Sequence, residues 1–382
     1  MTQLLEQTSS SDITYRSSLF EHIEITEVPH DFTREEKLNH PLLKLVQCGR
    51  RKDETTLVAE LKTALSLTEQ LKRPLEGLYG ALLDGHKVSI EVLSELLKAL
   101  VSSVLRNPHA LPLAVSVQAN DDHEYSRFVT QALTTLALSL RLGVLLRLSE
   151  TKLHSIALAV LMTALLQKVG DDEVKANTAL KYTLYLLRQL GNVDVREINL
   201  IMAQAALKLD ILKLDILKSN LSNGHQRMSK PLPFEGEVTT DVATISLYYR
   251  WLLENRLSGA RSSTSRAVCI IALLKGDYFS HELVDSFVNT IGMYEVGSLV
   301  KLNSGQVALI LANNTDSLLT PQVMTLPDLG ASSKQDAAIV DLYAGRKSGA
   351  HICKCLKTTV VGQGVISMLI NALGDDNVVL PR

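Results

Sequence analysis

The chain has 382 residues, 46% of them hydrophobic and 21% charged, with a formal net charge of -2. That length and apolar content suffice for a large core in two or three domains. A charge so near zero excludes recruitment of nucleic acid or an anionic membrane by bulk electrostatics.

Met1 to Arg16 is polar and rich in Ser and Thr, without the apolar segment of a signal peptide. Residues 1 to about 40, with one short β-like run at Ile23 to Val28, read as a loosely ordered arm. From Leu42 to Leu105 the pattern turns helical. Thr56 to Leu71 repeats apolar residues at three and four spacings, and Ser89 is placed to cap a helix over Ile90 to Leu105. Asn107-Pro108 and Pro112 then break the helical pattern.

A series of punctuated helices follows. Arg127 to Leu142 carries an apolar face of Phe128, Val129, Ala132, Leu133, Leu136, Ala137 and Leu140, with Gly143 where a C-cap belongs. Ser149 caps a helix that is apolar nearly all round through Leu166 and ends near Gly170, so it belongs at the centre of the domain. Phe128 to Leu148 is apolar enough to suggest a bilayer, but Arg141 and Arg147 interrupt it. Ile156 to Leu166 is too short to span one, and both read as core helices. A third helix covers about Glu173 to Leu190, stopped by Gly191. Asp194 and Glu197 make a capping-box-like start for a fourth, and Thr240 to Leu257 and Glu282 to Thr290 are the fifth and sixth. The tandem Lys208-Leu209-Asp210-Ile211-Leu212, Lys213-Leu214-Asp215-Ile216-Leu217 has a period of five. That period matches neither a helix face nor a strand face, so it reads as a short duplication that extends a helix.

After Ile291 the period changes to two. Val296 to Leu302, the turn Asn303-Ser304-Gly305 and Gln306 to Leu311 form a hairpin, with Gln322 to Leu326 as a third strand and Val365 to Leu373 as a last helix. His351, Cys353 and Cys355 would share a strand face, a spacing a soft metal could use. An ordinary strand with its small side chains inward explains it better. The four cysteines, completed by Cys48 and Cys269, are no disulfide framework and suit a reducing cytoplasm, where the protein is expected.

Particular phrases along this chain resemble the HD-GYP family of bacterial cyclic di-GMP phosphodiesterases. Before the core stand Leu105-Arg106-Asn107-Pro108, Asp121 and Tyr125. After it come Phe279, Glu282-Leu283-Val284 and Phe287, then Gly292, Tyr294, Gly297-Ser298, Val300, Leu302 and Gly305. The last run is similar to the family phrase G-x-Y-P-x-G-S-x-V-x-L-x-x-G, with Glu295 in place of Pro. The resemblance spans roughly Ile90 to Leu326. It implies a mainly α fold, an HD-domain-like helical bundle with a small β-rich C-terminal cap. The organisation it implies is an N-terminal arm and helical region over 1-110, a degenerate HD-GYP-like helical domain over 111-290, and a β-rich cap and tail over 291-382.

The family's chemistry needs two or three metals held by His and Asp from several helices, which activate a water and stabilise the phosphodiester transition state. In the register of the resemblance, Arg127 (or Phe128, one residue along) stands at the first His. Thr163-Ala164 replace the His-Asp pair that names the family, and Asn177-Thr178 replace a His-Pro. Ile201-Met202-Ala203-Gln204 falls on a paired His followed by Glu, Leu247 on a final Asp, and no Gly-Tyr-Pro occurs. Aliphatic side chains cannot replace a metal's hydration shell. No two of the ten histidines lie three or four apart to present a pair from one helix, and His154 reads as a hydrogen-bonded core residue. Met202, Ala203 and Leu247 are expected to fill the emptied interior.

The resemblance therefore implies a pseudoenzyme with no catalytic residues, no metal site and no cofactor. It acts through protein partners, other signalling or surface-organelle proteins, in cyclic di-GMP-related regulation; a homodimer is compatible with this. The alternative is a non-catalytic cyclic di-GMP receptor. For that reading the anion contacts are Arg256, Arg261 and Arg266 around a Gly- and Ser-rich loop, with Arg50-Arg51-Lys52 as a second basic run. A solvated basic face explains both groups better. Neither nucleic acid binding nor membrane insertion is expected.

Overall fold

The computed structural model describes residues 55, 57–84, 90–118, 124–168, 173–191, 193–221, 237–254, 264–314, 317–326, 338–344 and 349–356. The expected N-terminal arm, the basic run at 50–52 and the expected helix at 365–373 lie outside them. Among the described residues are α1 (Leu57–Asp84), α2 (Ile90–Arg106), α3 (Ala110–Val117), α4 (Glu124–Leu145), α5 (Glu150–Lys168), α6 (Glu173–Gln189), α7 (Val195–Leu221), α8 (Val238–Glu254), α9 (Thr264–Ala272) and α10 (His281–Ile291). Strands β1 (Leu299–Leu302), β2 (Val307–Asn314), β3 (Ser317–Thr325), β4 (Ala338–Asp341) and β5 (Ile352–Cys355) follow. The fold is thus mainly helical with a small antiparallel sheet near the C-terminus, as the sequence implies.

Helix α5 lies at the centre. Every residue from Leu153 to Thr163 is buried, and α2, α4, α7 and α8 pack around it. The stretch Phe128–Leu145 of α4 is long and apolar enough to cross a bilayer, but 72% of it is buried against the rest of the protein. Capping explains several helix starts. Ser149 Oγ accepts the Lys152 amide at 3.4 Å, and Ser280 Oγ accepts the Leu283 amide at 3.2 Å. Asp194 Oδ1 accepts the amides of Arg196 and Glu197 at 3.0 and 3.1 Å. The capping box is only half made, because Glu197 instead accepts the Ser155 hydroxyl of α5 at 2.8 Å.

Three local expectations change. Helix α1 runs on past Leu71 and through Pro74, because Leu75, Leu78, Ala81 and Leu82 continue its buried stripe. That burial outweighs a proline penalty of about 3 kcal/mol. Pro112 does not stop α3: it lies in the first turn, where a missing N–H loses no helical bond. Gly143 is not a C-cap. Helix α4 continues past it to Leu145, and Arg147 takes the left-handed turn at φ 57°. Leu148 N donates to Gly143 O and Arg147 N to Val144 O, both at 3.0 Å, a Schellman closure. Gly143 is there for contact, since a Cβ would sit 2.5 Å from Leu153 Cδ2 on α5.

The Leu105-Arg106-Asn107-Pro108 phrase has a structural task. Arg106 Nε and Nη2 each donate at 2.8 Å to the Glu60 carboxylate of α1, a bidentate pair, and Thr55 Oγ1 adds a third bond at 2.8 Å. Asn107 Nδ2 donates to Thr55 O at 3.2 Å, while Asn107 Oδ1 accepts the His109 amide at 3.1 Å. This cluster fixes α1 against the α2–α3 corner.

The sheet order is β4-β3-β2-β1-β5, all antiparallel. Alternation splits its side chains between two faces. Leu309, Leu311 and Met324 pack on Leu57, Leu61, Leu113 and Val117 of α1 and α3, while Val300, Leu302, Ala308, Ile310 and Val323 form a second cluster. The glycines of the G-x-Y-E-x-G-S phrase seat the sheet on the helices. Gly297 (φ +85°) approaches α3 so closely that a Cβ would lie 2.0 Å from Ser116 Cβ, and Ser116 Oγ donates to Val296 O at 2.9 Å. Gly292 (φ +66°) lies against the Asn313 side chain, which donates to Ile291 O.

Two outcomes follow for stability. Burial alone raises the Glu60 pKa, but bonds from Arg106, Ser103 and Thr55 bring it net below its ordinary 4.5. A depressed carboxylate pKa contributes stability above the unfolded-state value and loses it as pH falls through the folded one. Glu60→Gln is therefore expected to cost about 2 kcal/mol at pH 7, discounted for the one-third exposure of Arg106. In denaturant titrations that cost shrinks as the pH drops below about 4.5. Gly297→Ala is expected to cost at least about 2 kcal/mol, whereas Gly305→Ala, in open space at φ +89°, carries only the backbone strain of about 1 kcal/mol.

Candidate functional site

The helices that the resemblance assigns to metal ligands are α4, α5, α6, α7 and α8. At their aligned positions, Phe128 is buried and stacks on Tyr79 of α1 with ring centroids 5.0 Å apart. The side chains of Arg127 and Asn177 lie outside the described residues. Thr163 is buried on α5, Ala164 is half-buried, and Thr178 is exposed on α6. Met202 on α7 and Leu247 on α8 are buried, Leu247 within the wholly buried run Val242–Tyr249.

Ala203 departs from expectation. It is exposed, because one residue along a helix turns the side chain about 100° away. Met202 shares the inner face of α7 with Ile198, Ile201, Ala205 and Leu209, while Ala203 falls on the opposite face with Leu200 and Leu207. Packing atoms inside therefore come from Met202 and Leu247 alone of the three.

Polar groups on the α7–α8 seam are matched in pairs. Thr240 Oγ1 donates to Gln204 Oε1 at 3.0 Å, and one turn along Lys208 donates to Asp241. Burial pushes the Asp241 carboxyl above its ordinary value, and Lys208 pulls it partly back. The tandem repeat lies wholly in α7 and lengthens it, as expected. Its first Lys makes this ion pair, and its second lies 6.0 Å from the Trp251 ring centroid.

His154 is buried on α5 with Nε2 3.3 Å from Ser94 O and 3.4 Å from Ser94 Oγ. Burial holds its pKa below the histidine norm, so it is a neutral hydrogen-bonded core residue. Cys353 and Cys355 are exposed on β5, which among the described residues pairs with β1 alone, and this overturns the expectation that they point inward. Among the described residues, no three His, Cys, Asp or Glu side chains converge as a metal would require. Of the three arginines expected as anion contacts, Arg266 is half-buried in the first turn of α9. Arg256 and Arg261 lie outside the described residues.

No family model matches the chain, and no solved structure matches it. It is similar to a cyclic di-GMP phosphodiesterase. Cyclic di-GMP phosphodiesterase PA4108 of Pseudomonas aeruginosa is 23% identical over 297 residues, which cover 75% of this chain and 68% of that protein. The activity that this relative's name gives it is the one that the resemblance implies for the HD-GYP family.

The aligned positions can be tested by stability. Leu247→Asp would set an unpaired carboxylate in a buried run and is expected to cost about 3–5 kcal/mol at pH 7, recovering partly on acidification as the carboxyl protonates. Leu247→Met, which conserves volume, should cost less than about 1.5 kcal/mol in the same chemical denaturation series.

Proposed function

We propose that the protein is a non-hydrolysing relative of cyclic di-GMP phosphodiesterases that acts through protein partners in cyclic di-GMP-related bacterial signalling. The observation that carries this reading is what stands at the aligned ligand positions: Met202 and Leu247 are buried carbon and sulfur, Thr163 is a buried hydroxyl, and the first position falls on Arg127 or, one residue along, on the buried Phe128. A metal cluster of this kind needs imidazole and carboxylate donors. The donor set here does not fit one, and no hydrolytic step is assigned to these residues. Retaining ligand carboxylates without their metals would leave unpaired buried charges, each costing several kcal/mol, so apolar replacement is the stable outcome once catalysis is lost.

The surface supports action through partners. Leu200, Leu207 and Leu214 lie seven residues apart on the outer face of α7 and are 45%, 50% and 53% exposed. An apolar row on the solvent-facing side of a helix is what a docking partner would cover. The partners in this reading are other signalling or surface-organelle proteins.

The test is incubation of the purified protein with cyclic di-GMP and excess manganese or ferrous iron, followed by calorimetric titration of the metal-free protein with the same nucleotide. The expected result is no linear product and no heat of binding. Hydrolysis would overturn the reading, and saturable micromolar binding without hydrolysis would replace the partner-docking protein by a nucleotide receptor.

A further inference from the structure

We propose that Arg141 anchors a binding site for a small carboxylate, in the cleft bounded by α3, α4, α8 and the segment that follows α10. This stands apart from the reading above and from the aligned ligand positions. Arg141 lies towards the C-terminal end of α4, whereas Phe128 lies near its start.

Arg141 is 7% exposed and lines the cleft. Among the described residues, no carboxylate or hydrogen-bond acceptor pairs with it. Burial lowers its pKa to about 10, which still leaves it charged at neutral pH. The titratable neighbour that feels it is His109, whose pKa burial first, and then the Arg141 charge, push down to about 3. His109 is thus neutral and no counter-ion. A buried, ionised and unpaired guanidinium costs several kcal/mol, and an anion in the cleft would relieve that cost.

The other charged groups of the cleft do not serve. Arg250 is not an unpaired charge, since its Nε donates to Glu254 Oε1 at 2.7 Å, although its Nη groups are not in that bond. Glu295, the residue in place of the family's Pro, makes no ion pair with Arg141. Burial raises its carboxyl pKa, and Arg250 offsets this only in part.

The hydrogen-bond inventory chooses the ligand. Ser116, Thr134, Thr135, Ser246 and Thr290 line the cleft, but each donates its single proton to a backbone carbonyl, at 2.6 to 2.9 Å. That leaves the Arg141 fork and the Nη groups of Arg250; the Tyr249 hydroxyl is buried and interacts with Thr264. Two oxygens on one guanidinium is the geometry of a carboxylate. A phosphate would bring a second negative charge into a small, mostly apolar cleft that the Glu295 carboxylate also lines. The remaining walls, among them Val115, Ala137, Leu138 and Ile291, are apolar and suit a short alkyl tail. The cavity is about 40 Å³, room for a few waters or a short acid and far too small for a cyclic dinucleotide.

The experiment titrates the full-length protein with propionate and, separately, with inorganic phosphate at constant ionic strength. It follows the melting temperature and the saturation-transfer NMR signal of the propionate methyl. Propionate is expected to raise the melting temperature by about 3 °C at about 100 times Kd and to give the methyl signal, while phosphate leaves the melting temperature unchanged. Arg141→Met is expected to lose both responses and, in buffer alone, to melt no lower than wild type, because it removes an unpaired charge while keeping the bulk. Should that variant fail to fold, Ala137→Leu keeps Arg141, fills the space for the tail and must also lose both. No response to propionate, an equal or larger response to phosphate, or a propionate response kept in either folded variant would overturn the proposal.

Discussion

Helix α5 is dry on every side from Leu153 to Thr163, and the helices packed around it must match that dryness. A buried charge on those surfaces requires a partner of opposite sign, because water cannot reach it. Three interior pairs obey this rule, Ser155 with Glu197, Thr240 with Gln204 and Lys208 with Asp241, and Arg141 is the exception that the proposed carboxylate would complete. A catalytic metal cluster is one way to compensate a group of interior carboxylates and imidazoles. Apolar occupation is the other, and in the register of the resemblance Met202, Leu247 and, in one of its two settings, Phe128 are the buried residues at those positions.

Around that centre, the phrases that resemble the phosphodiesterase family do mechanical tasks. Arg106 and Asn107 fasten α1 to the α2–α3 corner through Glu60 and Thr55. Gly297 brings the sheet against Ser116 of α3, and Gly292 makes room for Asn313. These contacts depend on backbone approach and on one bidentate ion pair, none of which involves metal chemistry. A scaffold can therefore keep these phrases while its interior changes, which is the pattern the account assigns to this protein.

Much of the fold was legible because its signals are local. Ser149 and Asp194 cap helices from within four residues, the α5 run is apolar all round, and the hairpin turn at Asn303-Ser304-Gly305 is written in three residues. Gly143 was misread because its reason is a contact with Leu153, ten residues away and across a turn, while the left-handed position fell to Arg147. Helix α3 was hidden by prolines whose cost vanishes in a first turn. Strand β4 has four residues, too few to show a period, and β5 was legible as a strand, but its exposed face at Cys353 and Cys355 was not. The Arg141 cleft was not legible as a site, since α4, α8 and the residues after α10 meet only in three dimensions. The available signals were an arginine interrupting an apolar helix and a Glu in place of Pro at 295.

The proposal that the interior binds no catalytic metal cluster is tested most directly by metal analysis. The chain would be expressed with iron and manganese supplied, purified without oxygen, dialysed and measured by mass spectrometry. The account predicts far less than one iron or manganese per chain. A stoichiometric metal that survives dialysis would contradict it.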